Sequence, residues 1–220
     1  MLILGIDEAG RGALVGPLVI CGAMVEESKA DELVKIGVKD SKLLTPEQRE
    51  MLYGKLKNIL KDFIVIKIPA EDIDELRKRK NLNQIEAERM AAIIRSLDAD
   101  VVYVDAPQVS TDKFKSILLA MIDKKVKIIA ENYADRKYPI VGAASIIAKV
   151  ERDTEIERIK REVGVDFGVG YPHDERTIKF VKDCIKNKKY LQYVRKSWAT
   201  YLELSGKQKQ KKLAGYCVKL

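Results

Sequence analysis

Apolar residues fall in two rhythms along this chain. Short unbroken runs, closed by turn residues or charges, alternate with longer stretches in which apolar positions recur every three to four residues. The first run, Met1-Leu2-Ile3-Leu4-Gly5-Ile6, reads as a short buried strand closed by Asp7 and Glu8. Leu14 to Val25 is apolar and β-branched. It reads as a second strand, hairpin-paired with the first, with Gly16, Pro17 and Gly22 marking bulges or close contacts. Asp62 to Ile68 predicts a third strand stopped by Pro69, Val101 to Val104 a fourth closed by Asp105, and Val126 to Ala130 a fifth.

Helical spacing fills the intervals. Thr45 reads as an N-cap, with Pro46 at the first helical position and Gln48 at the capping-box site, for a helix reaching about Leu60. Ala70 to Lys80 and Leu82 to Leu97 predict two more, the second carrying Ile85, Met90, Ile93, Ile94 and Leu97 near one face. Thr111 to Asp123 is another, followed after the fifth strand by a loop holding Asp135. Ile140 to Glu162 predicts a long helix, apolar at first and then densely charged. A glycine-rich loop, Gly164 to Pro172, leads to a helix capped by Asp174 and ending near Asn187, and Ala199 opens the last helix. Strands clustered first and then alternating with helices imply an α/β fold, a mixed sheet with an antiparallel edge and helices on both faces. A boundary near Gly164 would divide a body, 1–163, from a small helical unit and tail, 164–220.

The 220 residues are 46% hydrophobic, enough for one substantial core plus an appendage. The net charge of +8 is uneven, because Arg176 to Leu220 holds 13 Lys and Arg against two acidic residues. A basic end on a near-neutral body points to a polyanionic partner, with a solvated tail as the alternative. Three separated cysteines without a CxxC pair, and a single His, leave no zinc site and suggest reduced thiols. No apolar run nears the roughly 20 residues that cross a bilayer. The start has no basic segment before its short apolar run, so a cytoplasmic protein is expected.

Three carboxylates share one context. Asp7 and Asp105 close apolar strands and Asp135 follows one closely, the place where ligand sites gather in α/β sheets. With Glu8 they make four negative charges, which two divalent cations would neutralise. A purely oxygen donor set suits Mg²⁺ or Mn²⁺, and such a pair can activate a water and stabilise the leaving oxygen of a phosphodiester. Neighbouring side chains on a strand face opposite ways, so Asp7 and Glu8 share a site only if the strand ends or bends there. Gly10-Arg11-Gly12 supplies the bend, and offers main chain and one guanidinium to a phosphate or sugar. Each acid taken singly also reads as an ordinary polar strand end.

Asp7-Glu8-Ala9-Gly10-Arg11-Gly12, Asp40-Ser41-Lys42, Val104-Asp105, Ala144-Ser145-Ile146-Ile147-Ala148-Lys149 with Arg152-Asp153, and Gly170-Tyr171-Pro172 together resemble ribonuclease HII, in its archaeal single-chain form. The resemblance runs from Met1 to about Trp198. It implies a ribonuclease H-like five-stranded mixed sheet flanked by helices, with a small C-terminal helical part that binds substrate. It implies metal-dependent endonucleolytic hydrolysis of the RNA strand of RNA–DNA hybrids. Incision 5′ to a ribonucleotide embedded in duplex DNA is also implied, leaving 3′-hydroxyl and 5′-phosphate ends, for removal of RNA primers and misincorporated ribonucleotides. The family's catalytic, metal-binding carboxylates fall on Asp7, Glu8, Asp105 and Asp135. Its substrate-binding positions fall on Gly10, Arg11 and Gly12 at the ribose 2′-hydroxyl and neighbouring phosphate, on Tyr171 beneath the junction sugar, and on Lys42, Ser145 and Lys149 near the phosphates. The tyrosine loop departs from the family's Gly-Ser-Gly-Tyr-Pro-Ser-Asp-Pro at Val169, His173 and Glu175.

The tail Gln210 to Cys217 is similar to a sliding-clamp-binding box, with Cys217 at its second aromatic site; a fortuitous basic tail is the alternative. The protein is expected to act as a monomer. A different two-metal nuclease on the same fold, and a nucleic-acid-binding module with vestigial acids, are the competing readings. Trp198 reads as a core anchor for the last helix or as a base-stacking platform, and His173 as a loop residue.

Overall fold

The computed structural model describes residues 1–38, 44–108 and 110–206. β1 (Leu2–Ala9) and β2 (Leu18–Glu26) pair antiparallel, with Ile3 opposite Val25 and Asp7 opposite Cys21. β3 (Asp62–Ile68) extends that antiparallel side. β4 (Val101–Asp105) lies parallel to β1 on its other side, with β5 (Lys127–Glu131) parallel beyond it. The order β3-β2-β1-β4-β5 is a mixed sheet with its first strand at the centre.

The expected elements form with two shifts at the site end. β1 does not stop at the acids but keeps pairing to Ala9, with Glu8 opposite Ile20. β2 begins only at Leu18, because the chain before it turns away: the N–H groups of Leu14 and Val15 both donate to the Gly170 carbonyl, and Gly16 takes φ +90°.

The helices are α1 (Ala30–Lys35), α2 (Pro46–Ile59), α3 (Ala70–Leu76), α4 (Leu82–Ser96), α5 (Thr111–Leu119), α6 (Ala134–Lys137), α7 (Pro139–Val163), α8 (Glu175–Asn187) and α9 (Ala199–Leu204). The capping box of α2 is as expected, and Asn81 with Gln84 forms a second one on α4. α3 and α5 close earlier than their sequence spacing implied. α1 was not expected, since only Leu33 of its six residues is buried and so short a stretch shows no period.

Alternate strand residues feed two cores. Leu4, Ile6, Ile20 and Val104 pack with Met90, Ile94 and Phe114 of α4 and α5. Ile3, Val19, Cys21 and Val101 pack with Leu56 of α2 and the apolar first half of α7. A third cluster joins Leu14 and Val15 to the end of α7 and to α8 and α9, so the C-terminal helices share their core with the loop after β1. Trp198 bridges the first and third clusters as an anchor, with the Arg77 and Arg195 guanidinium carbons 4.9 and 4.8 Å from its ring centre. Cys21 and Cys184 are buried free thiols. Among the described residues no helix is long and apolar enough to cross a membrane.

Beneath α7, Gly5 is needed for the approach itself. A Cβ there would run into the Ile140 carbonyl group and stand 2.6 Å from Val141 N. The central strand and the long helix therefore meet backbone to backbone, which sets how α7 presents its next turns to the end of β1.

Candidate active site

The strand ends and α7 enclose a pocket of about 690 Å³. Asp7, Glu8, Asp105 and Asp135 line it, together with Gly10, Arg11, Gly12, Lys149 and Tyr171. Asp7 shares the α7 face of β1 with Ile3 and Ala9, and Glu8 the α4 face with Leu4 and Ile6. Both still reach the pocket, because it opens over the end of the strand rather than on one face. The turn follows at Gly10, whose φ is +84° and where a Cβ would stand 2.6 Å from both the Pro17 carbonyl and Arg152 Nε. Gly12 is different: a Cβ there would lie 4.0 Å from Tyr171 Cε1, so this glycine leaves open space facing the tyrosine ring.

Electrostatics in the pocket are dominated by burial. Asp7, 5% exposed, is pushed up to about 7 by loss of solvent, with Lys149 pulling it down, Asp105 repelling it and Ser145 donating a hydrogen bond. Glu8 is raised well above the usual carboxylate range by burial and by repulsion from Asp7, Glu86 and Asp105, against the attraction of Arg11. Ser145 and Lys149 sit one turn apart on α7 and share a 2.7 Å hydrogen bond from Nζ to Oγ. Asp105 Oδ1 accepts from Ala134 N–H at 3.1 Å. Tyr133, just before, takes a left-handed conformation with φ 59°, which is strained for a residue with a Cβ. That kink turns the Ala134 N–H toward Asp105 and starts α6, so Asp135 reaches the pocket from a helical turn and not from the expected loop.

Two carboxylate oxygens here lack partners. Glu8 Oε2 and Asp135 Oδ1 are buried without a hydrogen bond. A buried, unpaired carboxylate oxygen is costly, and a divalent cation compensates it directly. The all-oxygen donor set suits Mg²⁺ or Mn²⁺. The acids form a shared rim and not a finished cage: among the described residues, no group of three or more Asp, Glu, His or Cys is set as a ready metal site. Of the remaining oxygens, Asp7 Oδ1 accepts from the Glu8 N–H at 2.7 Å and Asp105 Oδ1 from the Ala134 N–H.

Arg11 lines the pocket with its guanidinium turned toward α4. Nε donates to both oxygens of Glu86, at 2.9 and 3.1 Å, and Nη2 to Asn83 Oδ1 at 2.5 Å. Tyr171 lies between two cationic or aromatic neighbours. The Arg152 guanidinium carbon is 4.6 Å from its ring centre, and the His173 ring stacks on it at 5.6 Å. Arg152 Nη2 also donates to the Val169 carbonyl at 2.7 Å, tying the tyrosine loop to α7. Lys42, with Asp40 and Ser41, lies outside the described residues, as does the tail box Gln210 to Cys217.

Sequence reasoning passed over Glu86, Asn83, Arg195 and Arg49, whose Nη2 donates to Asp153 Oδ2 at 3.0 Å on the pocket wall. For Glu86 a signal existed: it stands four residues before Met90, on the apolar face of its helix. For Arg195 none did, because it belongs to a basic stretch that reads as surface and yet is 0% exposed.

The sheet order, the acids at the ends of β1 and β4 and the long helix crossing the centre define a ribonuclease H-like fold with an acidic pocket over its strand ends. The ribonuclease H2 from Pyrococcus horikoshii OT3 superposes with a TM-score of 0.87 at 42% identity, covering 94% of this chain and 98% of that one. The ribonuclease HII of Archaeoglobus fulgidus, solved in complex with PCNA, superposes at 0.84 with 41% identity, covering 90% and 95%. Ribonuclease HII of Pyrococcus abyssi is 42% identical over 216 residues, 97% of this chain and 95% of that one. A sequence model of ribonuclease HII matches residues 4–201. The chain belongs to the ribonuclease HII family, and it is a nuclease of the hydrolase class.

Proposed function

We propose that the protein incises the RNA strand of RNA–DNA hybrids, and duplex DNA on the 5′ side of an embedded ribonucleotide, leaving 3′-hydroxyl and 5′-phosphate ends. The observation that carries this reading is a single pocket lined by four acids, two of them with an orphaned carboxylate oxygen, together with Gly10, Gly12 and the ring of Tyr171. Asp7, Glu8, Asp105 and Asp135 would hold two Mg²⁺ or Mn²⁺ ions. When bound, such ions generate a nucleophile from water and neutralise the developing charge on the leaving oxygen.

The chain's own residues do the rest. Lys149, fixed by Ser145, sets a positive charge beside Asp7 where a scissile phosphate would lie. Main chain at Gly10 to Gly12 approaches the ribose closely, where a 2′-hydroxyl can donate and accept. Arg11 meets the adjacent phosphate, and Tyr171 packs against the sugar. None of these groups reads a base edge, so the site is indifferent to base sequence. The body, 1–163, carries the chemistry; the C-terminal helices and basic tail, 164–220, grip the flanking duplex. The Gln210 to Cys217 box binds a sliding clamp, in keeping with the PCNA complex of the Archaeoglobus relative. The protein works as a monomer in the cytoplasm, on RNA primers and misincorporated ribonucleotides.

The test is a DNA duplex carrying one ribonucleotide. A single internal nick, with an all-DNA duplex left intact, is expected; nicking of the all-DNA duplex, or degradation from an end, would point to a different nuclease. Asp105→Asn is expected to abolish the nick while hybrid binding survives. Retained cleavage would refute the metal assignment.

A further inference from the structure

Glu86 lies in the middle of α4, 0% exposed, and does not line the pocket. A buried carboxylate is costly, and an apolar side chain of similar volume would usually serve stability as well or better. Its partners identify what it is for. Both oxygens accept from Arg11 Nε, and Asn83, three residues earlier on the same helix, takes Nη2. Asn83 is itself oriented by donating to Gln108 Oε1 at 2.9 Å. From the other side, buried Arg195 donates through Nη1 to the Arg11 carbonyl at 3.0 Å and through Nε to the Gly16 carbonyl at 3.1 Å. Main chain and side chain of Arg11 are thus held independently. Nη1 of Arg11 has no hydrogen bond among the described residues, on a side chain that lines the pocket and is 36% exposed.

We propose that Glu86 is a positioning residue for substrate recognition: it clamps the Arg11 guanidinium edge-on, so that the remaining nitrogen meets a phosphate or ribose oxygen of the duplex without first being ordered. The clamp also supplies a counter-charge outside the pocket. Without it, Glu8 on the pocket rim is an acid that still attracts the guanidinium. This inference rests on the reading that Arg11 contacts the nucleic acid.

Glu86→Gln gives an opposed sign to the two explanations. It removes a negative charge, so a purely electrostatic role predicts tighter binding of a polyanion. Loss of positioning predicts weaker binding. Fluorescence anisotropy of a labelled duplex with one ribonucleotide, in chelator so that no turnover occurs, reads the difference. E86Q is expected to raise Kd about tenfold, as a mispositioned binding group does. Arg11→Met is expected to weaken binding at least as much, and the double variant to bind like R11M alone. Asn83→Ala, which removes the second clamp, is expected to weaken binding in the same direction, and it replaces E86Q if that variant does not fold. Unchanged or tighter binding by E86Q, or by N83A in its place, overturns the proposal, as do losses that simply add in the double variant. An R11M protein that binds like wild type refutes instead the underlying reading of Arg11.

Discussion

Gly5→Ala places one methyl group between the central strand and the long helix. The added Cβ meets the Ile140 carbonyl group and stands 2.6 Å from Val141 N, where about 3.5 Å is ordinary contact. The obstacles are backbone atoms on a buried helix, so no side chain can swing aside, and α7 must retreat by about 1 Å. Overpacking that side chains can absorb costs about 1–3 kcal/mol; with backbone in the way the upper end applies, about 3 kcal/mol. For a chain of this length that corresponds to a fall in Tm of about 6–12 °C. The retreat also carries Ser145 and Lys149 away from Asp7, and a displacement of about 1 Å at a reacting centre can cost about a hundredfold in rate. Thermal unfolding in chelator and kcat on the single-ribonucleotide duplex measure the two effects. Gly54→Ala is the control: it lies inside α2 with nothing within 4 Å of an added Cβ, and is expected to gain about 0.5–1 kcal/mol. A Tm loss below about 2 °C for Gly5→Ala, with normal turnover, would refute the backbone-to-backbone packing of β1 and α7.

Asp7 rises to about 7 in the fold from 3.8, so the metal-free native state holds its proton more tightly than the unfolded chain, and stability falls as pH rises between those values. Asp7→Asn is therefore expected to flatten this fall and to raise the stability of the chelated protein near pH 7.5 by about 1 kcal/mol or more, with activity lost; a variant less stable than wild type at that pH would refute the account. Because Mg²⁺ must displace that proton, the apparent affinity in calorimetry should climb from pH 5.5 to 7.5, and a flat profile would count against Asp7 as a ligand. Arg152→Met keeps bulk under Tyr171 but loses the bond to Val169, and kcat/KM at the junction should fall about tenfold, with no further loss in a Tyr171→Ala background; additive losses would show that Arg152 does not act through the tyrosine. Removing residues 207–220 should abolish surface-plasmon binding to an archaeal sliding clamp while incision of a free duplex persists, and undiminished clamp binding would exclude the tail box.

Much of the fold was legible because it rests on local rules. Five short apolar runs gave five strands, and Thr45, Pro46 and Gln48 marked the start of α2 by chemistry that acts within one turn. Legibility failed where the local signal was weak or overruled. α1 is too short to show a period. The run from Leu14 to Pro17 has strand composition, but the N–H groups of Leu14 and Val15 go to Gly170 and that of Gly16 to Tyr193, more than 150 residues away, so β2 starts late. Asp7 and Glu8 share a site as a strand end allows, but pairing runs on to Ala9 before the turn at Gly10, so the acids lie within the last paired residues and not just past them.

The sequence alone determined which residue types could do chemistry and in which order they come: acids after apolar strands, glycines around one arginine, a tyrosine in a glycine-rich loop. Those are consequences of periodicity and side-chain chemistry. Only the tertiary structure decided which charges are buried and against whom. Glu86 and Arg195 read as a helix carboxylate and a surface cation, yet both are removed from solvent by elements far away in the chain, and both meet at Arg11. Burial is a property of the whole packing arrangement, and no stretch of a few residues carries it.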